Sequence, residues 1–340
     1  MTDSSLVLVA NAGDDSISVF RFSGGALERV FVADGLKGTG TFAVDPERDL
    51  VYAGVKGSPA AIVTLELDRE TGSLTPVSRF DLADGSVSYL ALTRGGTGLL
   101  AASYGGNYGI VAPIVDGVIG TPTARVEHAN LHSVLATRDG RSVYFVALGD
   151  DLVAHYELGD DLTLAAAETV ACPAGSGPRH LVLNSADDAV YVMTEYTGDV
   201  LHFARDTDTG ALTLKGAASA IDLSAGMVRG AIGADPVENG AVWGADLQWG
   251  ADERTLWASE RTQSTLGAVV VGDGGSITAA ESFTVTEPQP RGFALSPDGA
   301  YLVAAGEKST TVSLYAVDGT RIELLQQAET GRGANWVRFV

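Results

Sequence analysis

Cys172 is the only cysteine in 340 residues, so neither an intrachain disulfide nor a thiolate metal cluster can form. It sits in a loop with no base near it in sequence and is read as structural. Basic residues are outnumbered about two to one, 22 Lys and Arg against 43 Asp and Glu, for a formal net charge of −21. No basic block offsets that charge, which argues against nucleic-acid and anionic-membrane partners. The acid is spread over loop positions such as Asp14, Asp15, Asp150, Asp151, Asp160 and Asp161, a pattern that serves solubility or adaptation to high salt. No apolar run reaches 18 residues, and Met1 to Val9 lacks a basic stretch followed by a long apolar one. A soluble, cytoplasmic protein is therefore expected. Paired histidines and clustered aspartates at metal-ligand spacing are missing, as is a glycine-rich phosphate loop opening a helix, so no metal and no cofactor is expected. No segment of 12 or more residues carries a helical period, which excludes a two-domain α/β chain.

What is present is a repeat. With 45% hydrophobic residues, 42 Gly and only 11 Pro, the chain can bury a large core. One pattern recurs: an apolar strand, a tight polar turn, and a second strand ending in a small or polar residue. Copies begin at Phe42, Tyr89, His132, Arg179, Ala245 and Arg291. Turns such as Arg138-Asp139-Gly140 and Pro297-Asp298-Gly299 are hairpin signals between apolar runs. A third strand follows most copies (Asp150 to Leu158, Gly198 to Asp206, Thr310 to Asp318), and a fourth comes after a further turn, as from Gly210. Four strands per unit at this period make a β-propeller blade. The step from His132 to Arg179 is 47 residues, whereas Arg179 to Ala245 is 66, which places an insertion at about 219–243. Leu6 onward lacks a first strand, and the C-terminal Ala334-Asn335-Trp336-Val337-Arg338-Phe339-Val340 is a strand with nothing after it. Together they complete a seventh blade and leave no open edge. The expected fold is a single all-β domain over residues 1–340: a seven-bladed propeller of four-stranded antiparallel blades, its ring closed by the N- and C-terminal strands.

Aligned on the central turn, the copies show where the unusual residues fall. First-strand starts are Gly40, Ser88, His132, Arg179, Ala245 and Arg291; second-strand ends are Lys56, Tyr104, Leu148, Glu195, Arg261 and Gly306. In a hairpin these two positions share one sheet edge, so both sets converge on one mouth of the ring. Propeller mouths are often polar, and Arg and Glu can simply pair there. Three arginines, a lysine, a histidine and a glutamate on one mouth of so acidic a chain point further, to a small anionic ligand. His and Glu among converging charge are also what general acid–base chemistry requires. His180 follows Arg179 and should alternate to the other face or cap the rim, with a binding role open to it. His128, His155 and His202 read as one loop and two outer-strand residues.

At these residues the chain resembles the bacterial propeller-type 6-phosphogluconolactonases, most clearly in GSGPRHLVLNSADDAVYVMTE from Gly175 and TEPQPRGFALSPDGAYLVAAGEKS from Thr286. The likeness runs from Leu6 to Trp336. The 3-carboxy-cis,cis-muconate lactonizing enzymes share the scaffold, and their catalytic set is similar to His132, Arg179, Glu195 and Arg261 here. Gln248 stands where the bacterial lactonases usually show His, and the insertion at 219–243 is unlike either group.

The resemblance implies hydrolysis of a sugar-acid lactone such as 6-phosphoglucono-1,5-lactone. Glu195 or His132 would take the water proton, Arg179 and Arg261 would stabilise the oxyanion, and Arg291 and Lys56, with Tyr104 and His180 nearby, would bind the anionic tail. Which of Glu195 and His132 is the base stays open. Two alternatives remain: lactonization of a muconate-like dicarboxylate by the same residues, and a non-catalytic binding platform. The expected partner is a small anionic lactone, handled by a monomer or weak homo-oligomer.

Overall fold

The computed structural model describes residues 5–340; Met1 to Ser4, the start of the segment read for a leader, lie outside them. Apolar runs with tight turns fold into seven antiparallel sheets. Six are built from consecutive chain, each starting at its innermost strand: Thr41–Asp45, Tyr89–Thr93, Leu131–Ala136, Pro178–Leu183, Gly244–Trp249 and Pro290–Leu295. The seventh joins the chain ends as expected, Ala334–Phe339 pairing with Ser5–Asn11, followed outward by Ser16–Ser23 and Ala26–Ala33. Inner strands of successive blades touch around a closed circuit, Ala334–Phe339 returning to Thr41–Asp45. The Trp336 indole N–H donates to the Phe42 carbonyl (2.9 Å) and stitches that seam.

Burial follows blade position. Middle strands such as Leu152–Leu158 and Ser142–Ala147 are packed between neighbouring sheets on both faces and read as near-continuous apolar runs. Outer strands such as Leu164–Ala171 and Arg321–Glu329 alternate with solvent. The turns owe their shape to aspartate side chains: Asp139 accepts from Thr137 (2.6 Å) and the Arg141 amide (3.0 Å), and Asp298 likewise from Ser296 and Ala300. Two blades depart from the simple pattern, their fourth strand being split into two short pieces, Val118–Ile119 with Ala124–Glu127 and Ile277–Thr278 with Phe283–Val285. Among the described residues the only helical turns are the short 3₁₀ segments Leu223–Ala225 and Asp273–Gly275, and no helix is long and apolar enough to cross a membrane.

One local irregularity positions the site. Pairing slips by one residue at the start of the inner strand in five of the seven blades, leaving His132, Arg179, the Ala245–Asp246 pair, Arg291 and Asn335 in bulges. A bulge re-aims the side chain that carries it, and here it is repeated at the rim of one mouth.

Candidate active site

A cavity of about 370 Å³ opens at that mouth, and Lys56, Tyr104, His132, Arg179, Glu195, Arg261 and Arg291 all line it. Glu195 is its hub. One carboxylate oxygen, Oε2, accepts from Arg179 Nε and from Arg261 Nη2, both at 2.9 Å. Burial alone would raise the Glu195 carboxyl, but the guanidiniums of Arg261, Arg179 and Arg291 overcome it and hold the group below the ordinary carboxylate range. Glu195 is thus an anion that orients two cations.

Both arginines are tied down on their far sides. Arg179 Nη1 donates to the Ala245 carbonyl (2.6 Å) and to His180 Nε2 (3.1 Å). Arg261 donates to the Trp243 and Gly244 carbonyls and lies over the Trp243 ring at 3.7 Å. Arg179 Nη2 and Arg261 Nη1 keep no protein acceptor among the described residues. Burial, then the charges of Arg261 and Arg291, push Arg179 down to about 9, so it remains a cation at neutral pH.

His132 is buried beside them, its ring 5.7 Å from Tyr104. Desolvation first, then the positive charge of Arg179, keeps its imidazolium far below the usual histidine range, so the ring is neutral. Its Nδ1 has no protein partner, nor has Oδ1 of Asn335 on the same cavity wall. Leaving a buried polar atom unpaired costs about 1–3 kcal/mol.

Arg291 is not a free cation, because its Nη1 pairs with Glu307 at 3.0 Å. Lys56 is exposed on the rim. His180 does not reach the cavity. The bulge leaves Arg179 as the extra residue, so Arg179 takes the cavity and His180 is buried behind it. Arginine only donates, so His180 Nε2 accepts and its proton sits on Nδ1, 2.8 Å from Asp246. Gln248, at the position that departs from the family pattern, also donates to Asp246. Three positions from the hairpin alignment do not line the cavity: Ala245 and Leu148 are packed away, and Glu307 lines it in place of its neighbour Gly306.

Sequence reasoning missed Glu307, Asn335, Trp243 and Asp246. Asn335 had a signal, since it holds in the C-terminal strand the place that His132 and Arg179 hold in theirs. Trp243 had none, because it belongs to the insertion. Among the described residues, no three His, Cys, Asp or Glu side chains are grouped to hold a metal.

The family model "Lactonase, 7-bladed beta-propeller" matches residues 6–339. The chain belongs to this lactonase family. Among its relatives, the 6-phosphogluconolactonase of Serratia proteamaculans is 29% identical over 344 residues, covering 98% of both chains. That of Klebsiella pneumoniae (strain 342) is 28% identical, covering 92% of each. Two solved structures share the propeller fold: a putative 6-phosphogluconolactonase of Bacteroides uniformis (TM-score 0.88, 23% identity, 99% of this chain and 100% of that one) and the periplasmic gluconolactonase of Pseudomonas aeruginosa (TM-score 0.87, 23% identity, 99% of each).

Proposed function

We propose that this lactonase-family chain hydrolyses a sugar-acid lactone, with 6-phosphoglucono-1,5-lactone as the leading substrate, at the Arg179–Glu195–Arg261–His132 cluster. The observation that carries the proposal is one juxtaposition: two guanidiniums with unspent donors, fixed by a shared carboxylate, beside a neutral imidazole in a single cavity. The 6-phosphogluconolactonases at 28–29% identity supply the substrate class.

The electrostatics divide the labour between His132 and Glu195. Glu195 is a poor base, because protonating it would leave Arg179 and Arg261 uncompensated. His132 is already neutral and can accept a proton from water as the water oxygen bonds to the lactone carbonyl carbon. Burial first, and arginine charge second, disfavour the imidazolium in the free protein; the oxyanion formed in the same step offsets the charge. Arg179 Nη2 and Arg261 Nη1 donate to the oxyanion. Collapse of the tetrahedral intermediate breaks the bond to the ring oxygen, which takes the proton back from His132, giving the hydroxy acid with no net proton transfer to the protein. Lys56 and Arg291 bind the anionic tail.

The test is steady-state turnover of phosphorylated and unphosphorylated 1,5-lactones beside 3-carboxymuconate. Turnover of the lactones with the muconate untouched supports the proposal; turnover of the muconate alone would replace hydrolysis with lactonization.

A further inference from the structure

The insertion builds a second cavity next to the first. It measures about 570 Å³ and shares Tyr104, Glu195 and Trp243 with the catalytic one. Its remaining wall comes from Tyr196 and from the insertion itself, notably Val228, Arg229, Ala231 and Ala234. The insertion is held in a defined shape. Val228 bridges Ala241 in parallel register, and Val242 N–H donates to the Val228 carbonyl at 2.9 Å. The Arg229 guanidinium donates to the Ala174 and Gly175 carbonyls, pinning the insertion to the loop before Pro178–Leu183. Gly230 N–H donates to the Tyr196 carbonyl at 2.9 Å, and a Cβ at this position would stand 2.5 Å from the Val242 carbonyl oxygen. The chain therefore approaches the Val242 backbone as closely as only glycine allows.

The lining defines what fits. Its charged members are Glu195 and Arg229, and both are already engaged, Glu195 by two arginines and Arg229 by backbone carbonyls. The rest is aromatic side chains, small side chains, backbone and the Asn239 amide. The one cation in the lining, Arg229, spends Nε and Nη2 on backbone carbonyls. An uncharged sugar ring fits, with apolar C–H faces for Tyr196 and Trp243 and a rim of hydroxyls for the backbone.

We propose that this cavity is a second sugar subsite, so that the preferred substrate is a sugar-acid lactone carrying an uncharged glycosyl group on a ring hydroxyl. This rests on the lactone-hydrolase reading. Glu195 stands where the two cavities meet, whereas Lys56, Arg291 and Glu307 line only the first. The anionic tail and the glycosyl group therefore leave the reacting carbon in different directions. The glycosidic bond is not cleaved; it only adds binding.

The experiment compares kcat/KM for glucono-1,5-lactone and cellobiono-1,5-lactone in three proteins: the unmodified chain, a chain with residues 226–240 replaced by a short Gly-Ser link, and Ala231→Trp, which fills the cavity without removing the insertion. The unmodified protein should favour the disaccharide lactone by roughly tenfold or more, a modest return for one added ring contact. Both variants should erase that preference while leaving the monosaccharide lactone within about twofold. Should the shortened chain fail to fold, Ala231→Trp carries the test alone. Turnover of glucono-1,5-lactone with no preference for the disaccharide, or equal loss on both in Ala231→Trp, would overturn the subsite and leave the hydrolase reading standing. No turnover of either lactone by a protein that opens 6-phosphoglucono-1,5-lactone would overturn the subsite alone, and no turnover of any of the three would overturn both.

Discussion

Glu195 shows how much one side chain carries here. Two buried guanidiniums share its Oε2, and removing one partner of such a cluster costs about 3–5 kcal/mol, because the other charges stay buried without compensation. Glu195→Gln should therefore lower the melting temperature and, by loosening Arg179 and Arg261, lower kcat by about 10². His132→Gln should separate the two effects, with kcat down by about 10²–10³ and a melting temperature close to that of the unmodified protein. Calorimetry beside kinetics checks both. Arg291→Ala should raise KM for a phosphorylated lactone by roughly ten- to a hundredfold, since a charge-assisted contact is worth about 1.5–3 kcal/mol. Loss of Arg291 also leaves Glu307 facing the phosphate unpaired. An unphosphorylated lactone should be nearly indifferent to this change.

His180 gives a pH dependence with a definite sign. Burial, then the charge of Arg179, holds its folded-state pKa at about 4, below the ordinary 6.5, although the bond to Asp246 works the other way. The unfolded chain therefore binds the proton first as pH falls. The stabilisation is complete above about 6.5 and is lost as pH drops toward 4, on the order of 3 kcal/mol in all. Melting temperatures between pH 7.5 and 4 should fall in that window, and His180→Gln should flatten the slope there.

At the scale of strands, the hairpin alignment brought seven residues to one cavity because the start of one strand and the end of the next share an edge. Lys56, Tyr104, His132, Arg179, Glu195, Arg261 and Arg291 all follow from that geometry. His180 took the far face behind Arg179, as alternation has it, and so lies off the cavity wall, while the bulge at Arg179 turns that side chain into the cavity. The same bulges hid Asp246 and made Glu307, not Gly306, the cavity residue of its blade. Trp243 and the second cavity were illegible for another reason: a repeat describes what recurs, and the insertion occurs once. The closing blade was legible, since an orphan strand at each end must find a partner. Deleting Ala334 to Val340 should leave the Ser5–Asn11 edge unpaired. The truncated chain is expected to associate or aggregate, visible as loss of the native peak in size-exclusion chromatography.

For the molecule as a whole, the surface and the mouth carry opposite signs. A chain of net charge −21 gathers Lys56, Arg179, Arg261 and Arg291 around one opening, with Glu195 and Glu307 as the carboxylates lining it. The ring supplies the rigidity this needs, since every inner strand is clasped by two others and the chain ends are locked together. The family assignment, the neutral His132 and the paired arginines meet in the claim that this mouth opens lactones. The most direct measurement is kcat/KM for 6-phosphoglucono-1,5-lactone, corrected for spontaneous opening, in the unmodified protein, His132→Gln and Arg291→Ala. Robust turnover is expected from the unmodified protein, a loss confined to kcat in His132→Gln, and a loss confined to KM in Arg291→Ala. A rate no faster than spontaneous opening, or full activity in His132→Gln, would contradict the account.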